Sequence, residues 1–337
     1  MRAIALDFNS RTPGEVLLDP PEAPGPDEVL FRVEACGVCA TDRELARFRF
    51  GAPPAGETTL VLGHEVLGEV VATGAGVTKF SPGDRVVPTL RRACPSLCPA
   101  CAAHRFDLCA TGNYFERGIL RAHGYFTEFT VDLAESLVLI PRSLGATAIL
   151  AEPLSVVEKA IATALAAHPL HPQKALVTGC GPVGMLTAFA LLARGFDVEV
   201  ISLEAADYPR PAMVVRAGAR YVRVPDSPAS ADLVFEASSH PDAAGLGLSC
   251  LRTGGVLVFI GASETQIPLT SMEALRRNLT VAAIINASGK HFQAALEDLT
   301  RFPAKWLEGF VERRPFDAWR ESLAVTPAAA KIVHVIG

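Results

Sequence analysis

The chain has 337 residues, of which 50% are apolar and 20% are charged, and its formal net charge at pH 7 is −5. At about 150 residues per domain this length predicts two domains, and the acidic balance argues against a nucleic-acid partner. No apolar run reaches the about 20 residues that span a bilayer, and Asp7 comes too early for a signal peptide, so we expect a cytoplasmic protein without a membrane partner.

The first third of the sequence reads as short β segments separated by turn residues. Pro-Gly and Gly-rich turns separate runs rich in β-branched residues, which are 29–33, 60–62, 66–72 and 85–87. Strands of this length with such turns between them predict a partly open β-barrel.

From residue 153 the pattern changes to an alternation of helices and strands. The Ala-rich segment 154–167 predicts a helix that ends before two prolines. The predicted strands that follow are 175–178, 198–202, 221–224, 232–235 and 256–260, and the predicted helices between them are 185–193, 213–219 and 243–251. Such alternation predicts a doubly wound parallel sheet. Near the end, 306–311 and 315–323 are predicted helices and 332–336 a strand.

A glycine-rich loop follows the predicted strand 175–178 and opens the next helix. Its sequence is a G-x-G-x-x-G, in which glycines let the backbone approach a pyrophosphate at the positive end of a helix. We therefore predict a nucleotide site, with a purely structural turn as the alternative. The predicted cofactor-binding residues of this loop are Gly179, Gly181, Pro182, Val183 and Gly184.

The end of the second strand of this region bears on the choice of nucleotide. Ser202 and Glu204 stand there. An acid at this point would accept hydrogen bonds from the adenosine ribose, whereas an arginine would hold a 2′-phosphate. Glu204 favours NAD, but Arg210 and Arg216 lie close in sequence and leave NADP open. A solvated loop acid is the alternative interpretation of Glu204.

Four of the eight cysteines lie in one short segment. The cysteines are Cys94, Cys98, Cys101 and Cys109. Four thiolates at this spacing can enclose one tetrahedral Zn²⁺ with no open position, which is typical of a structural site. Two local disulfides are the alternative, and a reducing compartment disfavours them.

A second metal site is predicted from two motifs upstream of that segment. Cys39 lies in a G-V-C-A-T-D sequence and His64 in a G-H-E sequence. A thiolate and an imidazole leave zinc with a free position for a substrate oxygen, as catalysis requires. A zinc ion lowers the pKa of a bound hydroxyl, and Thr41 is close enough in sequence to relay the released proton.

Taken in this order, the motifs resemble those of the zinc-containing medium-chain alcohol dehydrogenase superfamily. The segments 87–92, 107–119 and 152–159, with the late Asn286 and His291, resemble its glucose 1-dehydrogenase branch. The resemblance covers essentially the whole chain. It implies a GroES-like β-barrel catalytic domain over 1–155, completed by 290–337, a Rossmann nucleotide-binding domain over 156–289, and a homo-oligomer, either a dimer or a tetramer.

The resemblance also implies an activity, namely zinc-dependent oxidation of glucose at C1 to the lactone with hydride transfer to NAD(P)⁺. Glu65 or Glu152 would join Cys39 and His64 as zinc ligands. The residues expected to contact the sugar are Thr41, Thr89, Glu116, Glu152, Asn286 and His291, with Asn286 also near the cofactor. Two alternatives stay open, another polyol or secondary-alcohol dehydrogenase and a catalytically silent nucleotide-binding protein.

Three of these assignments have competing explanations. In the competing explanation of Glu116, this residue forms only a surface salt bridge with Arg117 or Arg121. In that of His291, the side chain only caps a helix. The Ser-Leu-Glu at 202–204 replaces the Asn-Arg-Arg of relatives that favour NADP, so a transferred preference for NADP is in doubt.

Overall fold

The computed structural model describes residues 1–223, 229–261, 268–325 and 329–336. Val224, the last residue of one predicted strand, lies outside this part of the chain. None of the helices within it is long and apolar enough to cross a membrane.

The N-terminal region is built from short strands, as the turn pattern predicts. In β3 the side chains alternate between buried and partly exposed, the period of two that a strand with one face on a core requires. The strands are β1 (Arg2–Asp7), β2 (Thr12–Leu17), β3 (Glu28–Val38), β4 (Thr59–Val61), β5 (Glu65–Thr73), β6 (Arg85–Pro88), β7 (Arg91–Arg92), β8 (Phe115–Arg117), β9 (Arg121–Ala122), β10 (Phe129–Leu133) and β11 (Leu137–Leu139). Two short helices lie among them, α1 (Ala40–Ala46) and α2 (Pro99–Ala102).

The second region has the alternating pattern of a doubly wound sheet. Its strands are β12 (Lys174–Thr178), β13 (Asp197–Ile201), β14 (Arg220–Val222), β15 (Ala231–Glu236), β16 (Leu251–Phe259) and β17 (Thr280–Ala283). All neighbours pair in parallel, in the order β14-β13-β12-β15-β16-β17. This is the strand order of a Rossmann fold, so the predicted fold class is confirmed. Its helices are α3 (Ala151–Ala167), α4 (Pro182–Ala193), α5 (Pro209–Ala217), α6 (Pro241–Cys250) and α7 (Ser271–Arg277).

The end of the chain returns to the first region. It contains α8 (Gly289–Arg301), α9 (Ala304–Leu307), β18 (Val311–Pro315), α10 (Trp319–Ala324) and β19 (Lys331–Val335). β19 pairs with β3 and so adds the C-terminal strands to the largest sheet of the barrel. The boundaries at residues 155 and 289 stay a prediction, and α3 runs continuously through the first of them.

One predicted element near the C-terminus is wrong. The segment 306–311 is not a single helix, because α9 ends at Leu307 and β18 begins at Val311. Gly309 lies between them with φ 75°, a left-handed conformation that ends a helix. The apolar side chains that suggested a helix instead pack into the core beside Phe189.

Candidate active site

Cys39, His64 and Glu65 come together from separate segments. Cys39 follows β3 and caps α1, where the Thr41 backbone N–H donates to the Cys39 Sγ over 3.2 Å. The same sulfur lies 3.2 Å from His64 Nε2. One ligand atom from each of the three residues lies within 4.8 Å of the other two. The structure therefore groups three of the four predicted ligands of the catalytic zinc.

Two glycines of the motifs make room for this cluster. Gly63 has φ 95°, and a Cβ there would lie 2.6 Å from the backbone nitrogen of Phe126. A Cβ on Gly37 would collide with the Glu65 carboxylate. The G-x-C and G-H-E patterns therefore have a steric cause, since any other residue would displace His64 or Glu65.

Two buried charged residues flank the cluster, and neither has a role in the prediction from sequence. Asp42 accepts a hydrogen bond of 2.8 Å from the Cys39 N–H, and its Oδ1 lies 3.3 Å from His64 Nδ1. Lys331, on β19, forms an ion pair with Glu65. Burial opposes the charge of Lys331, but Glu65 and Cys39 raise the pKa of this lysine above its ordinary value. The motif around Cys39 contains Asp42, whereas nothing in the sequence around Lys331 points to its partner.

Glu152 and Thr41 lie beside the cluster rather than within it. Glu152 stands in the first turn of α3 and is not part of the group whose ligand atoms lie within 4.8 Å. Burial raises the pKa of Glu152 to about 7, with His64 acting in the opposite direction. Thr41 is in the first turn of α1 and partly exposed. Glu152 thus shares the electrostatic environment of Cys39, His64 and Glu65 without joining them.

The donor set of the cluster fits zinc. A thiolate, an imidazole and a carboxylate are ligands that zinc prefers, and three protein ligands leave one tetrahedral position open. Asp42 next to His64 Nδ1 is the carboxylate that commonly orients a zinc-bound histidine. His64 and Glu65 are almost fully buried, so water competes little for the site.

The four clustered cysteines also converge, as their spacing predicts. One sulfur from each of Cys94, Cys98, Cys101 and Cys109 lies within 4.8 Å of the other three, and all eight cysteines of the chain are free. The Cys98 backbone N–H donates to Cys94 and lowers the pKa of this thiol to about 5. Four sulfurs in this arrangement fit a closed structural zinc site.

The predicted sugar contacts Glu116 and Asn286 meet directly. Asn286 Nδ2 donates to Glu116 Oε1 over 2.6 Å, and the same oxygen accepts two bonds from Arg91, of 2.8 and 3.1 Å. Arg91 lies opposite Glu116 because β7 and β8 are antiparallel. The competing partners Arg117 and Arg121 are therefore wrong, and the salt bridge is buried rather than on the surface.

His291 and Thr89 make local hydrogen bonds. The Ser288 backbone N–H donates to His291 Nδ1 over 3.1 Å, so His291 caps α8, as the competing explanation predicts. That bond leaves the proton on Nε2. Burial lowers the pKa of His291 to about 4. The Thr89 hydroxyl donates to the Ser136 carbonyl, 3.2 Å away, and lies 3.4 Å from Arg92 Nη1.

The glycine loop has the shape that a pyrophosphate requires. It joins β12 to α4, whose first residue is Pro182. Gly179 has φ 102°, and a Cβ on Gly184 would collide with the Gly179 carbonyl oxygen. Among the described residues, a Cβ on Gly181 would meet only open space. The loop therefore packs tightly on one side and leaves its backbone accessible on the other.

A cleft of about 1130 Å³ runs along the carboxyl ends of the parallel strands, next to this loop. Ser202 and Glu204 line it together with Gly179 and Arg223. Glu204 forms an ion pair with Arg210, whereas Arg216 donates instead to the Glu308 carbonyl. The acid that sequence assigns to the ribose thus faces the cleft beside a cation.

Two models of known protein families together match most of the chain. A model described as the alcohol dehydrogenase GroES-like domain matches residues 25–142, and one described as the glucose dehydrogenase C-terminus matches 145–334. The chain belongs to the glucose dehydrogenase family of zinc-type alcohol dehydrogenases. The predicted family is therefore confirmed.

Individual relatives extend over nearly the full length. Glucose 1-dehydrogenase of Thermoproteus tenax is 34% identical over 93% of each chain, and that of Halobacterium salinarum is 36% identical over 91% of this chain and 90% of the relative. Among solved structures, glucose dehydrogenase of Haloferax mediterranei in complex with NADP, Zn and gluconolactone has a TM-score of 0.91 and 30% identity, covering 100% of this chain and 99% of that one.

Proposed function

We propose that this protein is an NAD(P)-dependent, zinc-containing glucose 1-dehydrogenase. It would oxidise D-glucose and related aldoses at C1 to the lactone and transfer the hydride to the nicotinamide. The observation that carries the proposal is the full-length likeness to the Haloferax enzyme with bound gluconolactone, in a chain that groups Cys39, His64 and Glu65.

Cys39, His64 and Glu65 would hold the catalytic zinc, with Glu152 as a carboxylate that exchanges with Glu65. The ion supplies Lewis acidity, which lowers the pKa of a bound hydroxyl. Thr41 would relay the released proton from the buried site towards solvent, because it is partly exposed and only two residues from Cys39. Cys94, Cys98, Cys101 and Cys109 would hold a second zinc with no open position.

The sugar would be recognised by hydrogen bonds that an apolar pocket cannot supply. Within the described residues, the three bonds to Glu116 all go to Oε1, which leaves Oε2 to accept a sugar hydroxyl. His291 Nε2 would donate to another. Thr41, Glu152 and Asn286 are further proposed contacts, and Thr89 would contribute only if its hydroxyl turned away from Ser136.

The cofactor would lie along the cleft, with its pyrophosphate against 179–184 and its adenosine ribose at Ser202 and Glu204. Asn286 would stand at the nicotinamide end. Glu204 supports a preference for NAD, since a carboxylate repels a 2′-phosphate. Replacing Glu204 by Ala should shift the ratio of kcat/KM for NADP over NAD upwards by about tenfold. An unchanged ratio would remove Glu204 from the explanation.

Steady-state kinetics of the zinc-replete protein test the activity. Glucose, galactose, xylose and sorbitol should each be assayed with NAD and with NADP. We expect the highest kcat/KM with an aldose. A preference for sorbitol would favour a polyol dehydrogenase, and nucleotide binding without turnover of any substrate would favour a silent binding protein.

We also propose a homo-oligomer, dimeric or tetrameric, located in the cytoplasm. β17 is an edge strand of the parallel sheet, and Leu275 and Ile285 next to it are 70% and 69% exposed. An edge strand with apolar neighbours is suited to pairing with another copy. Light scattering of the wild type and of Ile285→Glu would test this, since the variant should dissociate. The eight free cysteines support the location in the cytoplasm, because thiols are kept reduced in that compartment.

A further inference from the structure

A closed ring of polar contacts connects the four-cysteine loop to Glu116 and Asn286. It begins at Asp107, in the turn Phe106–Leu108 between the third and fourth cysteines. Asp107 Oδ2 lies 2.8 Å from Lys159 Nζ, and Lys159 reaches the loop from α3. The ring therefore starts within the predicted structural zinc site.

The ring continues to the sugar-binding side. Lys159 Nζ donates to the backbone carbonyl of Ile285 over 3.1 Å, one residue before Asn286. Asn286 bonds to Glu116 and Glu116 to Arg91, as described above. Arg91 Nη1 donates to the backbone carbonyl of Asp107 over 3.3 Å, which closes the ring.

The ring is buried, so its charges are held in place. The side chains of Asp107, Lys159 and Arg91 are 0%, 9% and 5% exposed. Arg105 makes two further bonds to Asp107, of 2.9 and 3.0 Å. Ion pairs that lie away from water are costly compared with apolar packing, and removing one partner leaves the other charge buried without compensation. The arrangement here fixes the backbone before Asn286.

The backbone of Asn286 has a left-handed conformation that such support would hold. Its φ is 59°, in a region that asparagine enters more readily than most residues but at some cost in free energy. Lys159 holds the carbonyl just before it, and Glu116 holds its side chain. Among the described residues, Lys159 is the charged side chain that bonds to the Ile285 carbonyl, so its loss would leave the backbone before Asn286 without that anchor.

We propose that Lys159 and Asp107 are positioning residues that set the affinity for sugar. Neither needs to touch the substrate. They tie the four-cysteine loop to Asn286 and Glu116, so that the loop contributes to substrate recognition in addition to stability. This inference rests on the proposed role of Glu116 and Asn286 in sugar binding.

The variant Lys159→Met tests the proposal, because it removes the charge and keeps the length of the side chain. We expect the KM for glucose to rise about tenfold or more, the factor expected for loss of a hydrogen bond to a charged group, while kcat stays within about twofold and the KM for NAD(P) rises less than the KM for glucose, because Asn286 is only one of several residues proposed to bind the cofactor. Asp107→Asn should act in the same way, and the double variant should be no worse than the stronger single one.

Glu158→Gln is the matched control. Glu158 precedes Lys159 on α3 and is also buried, but its ion pair is with Arg194, which belongs to no contact of the ring. This control should leave the KM for glucose unchanged. A rise in KM equal to that of Lys159→Met would overturn the proposal, because it would reflect general loosening of α3.

Hydrogen exchange separates this proposal from the proposed function. In Lys159→Met the segments 113–118 and 284–288 should exchange faster, while the strands of the parallel sheet keep their protection. If the wild type does not oxidise glucose, the proposed function fails but the exchange measurement still tests the ring. Unchanged exchange in both segments would overturn the positioning role, and Asp107→Asn provides the same readout if Lys159→Met does not fold.

Discussion

The two proposed metal sites are assembled in opposite ways. The four-cysteine cluster comes from 16 consecutive positions, 94–109, and consists only of thiols. The Cys39 cluster combines Cys39, just after β3, with His64 and Glu65, at the start of β5, and is surrounded by buried charges that include Lys331 of β19. A closed site can therefore be made by one loop, whereas the open site requires the folded barrel and the end of the chain.

The largest expected effect is at the open site. Replacing Cys39 by Ser should lower kcat/KM by about 10³-fold, because Lewis-acid catalysis contributes several kcal/mol, while NAD(P) binding is retained. Steady-state kinetics measure kcat/KM, and titration with the nucleotide measures NAD(P) binding. Cys36→Ala is the control, since Cys36 is buried three residues away and lies outside the cluster. Equal activity of the two variants would contradict the assignment of Cys39.

The closed site should respond in stability instead. Cys101→Ser should lose the zinc of the loop, keep that of the Cys39 cluster, and unfold at lower temperature, because metal binding by such loops is coupled to folding. Metal analysis and thermal unfolding measure these quantities. If Cys101→Ser retained all its zinc and its Tm, the loop would not be a structural zinc site.

A substitution of Lys331 tests whether the open site depends on the C-terminal strand β19. Lys331→Met leaves Glu65 buried without its counter-ion, which typically costs about 3–5 kcal/mol. We expect a corresponding fall in the free energy of unfolding of the zinc-free protein, measured in urea, and partial recovery in Lys331→Arg. Wild-type stability in Lys331→Met would mean that the Glu65 charge is compensated elsewhere.

The smallest effect concerns His291, on which two members of the contact ring, Asp107 and Lys159, act electrostatically. Its folded pKa of about 4 is below the unfolded value of about 6.5. Between these values the unfolded chain binds more protons, so stability falls as the pH decreases from about 6.5 to about 4. His291→Gln should lack this contribution. A pH dependence identical in both proteins would show that burial does not perturb His291.

The same contrast explains what could be predicted from sequence. The four-cysteine site was predictable because ligands and spacing are local. The glycine loop was predictable for the same reason, and its strand and helix are where the pattern places them. For Cys39 and His64 the two motifs predicted the site, and the family resemblance added Glu65 and Glu152 as candidate ligands.

Contacts set by strand pairing were beyond prediction. Lys331 meets Glu65 only because β19 joins β3 and β3 joins β5. Arg91 pairs with Glu116 through the register of β7 and β8. Arg117 and Arg121, which are the near neighbours of Glu116 in sequence, donate instead to Thr130 and to the Tyr114 carbonyl. The prediction of a helix over 306–311 was wrong because it followed the apolar side chains of this segment and neglected Gly309, whose left-handed conformation ends the helix.

Transfer of the C1 hydrogen tests the central claim most directly. Zinc-replete protein should be given glucose deuterated at C1 and oxidised cofactor, and the reduced cofactor analysed by mass spectrometry. We predict one deuterium in each reduced nicotinamide, with gluconolactone or its hydrolysis product formed in equal amount. Reduced cofactor without deuterium, or no reduction at all, would contradict the proposed oxidation of glucose at C1.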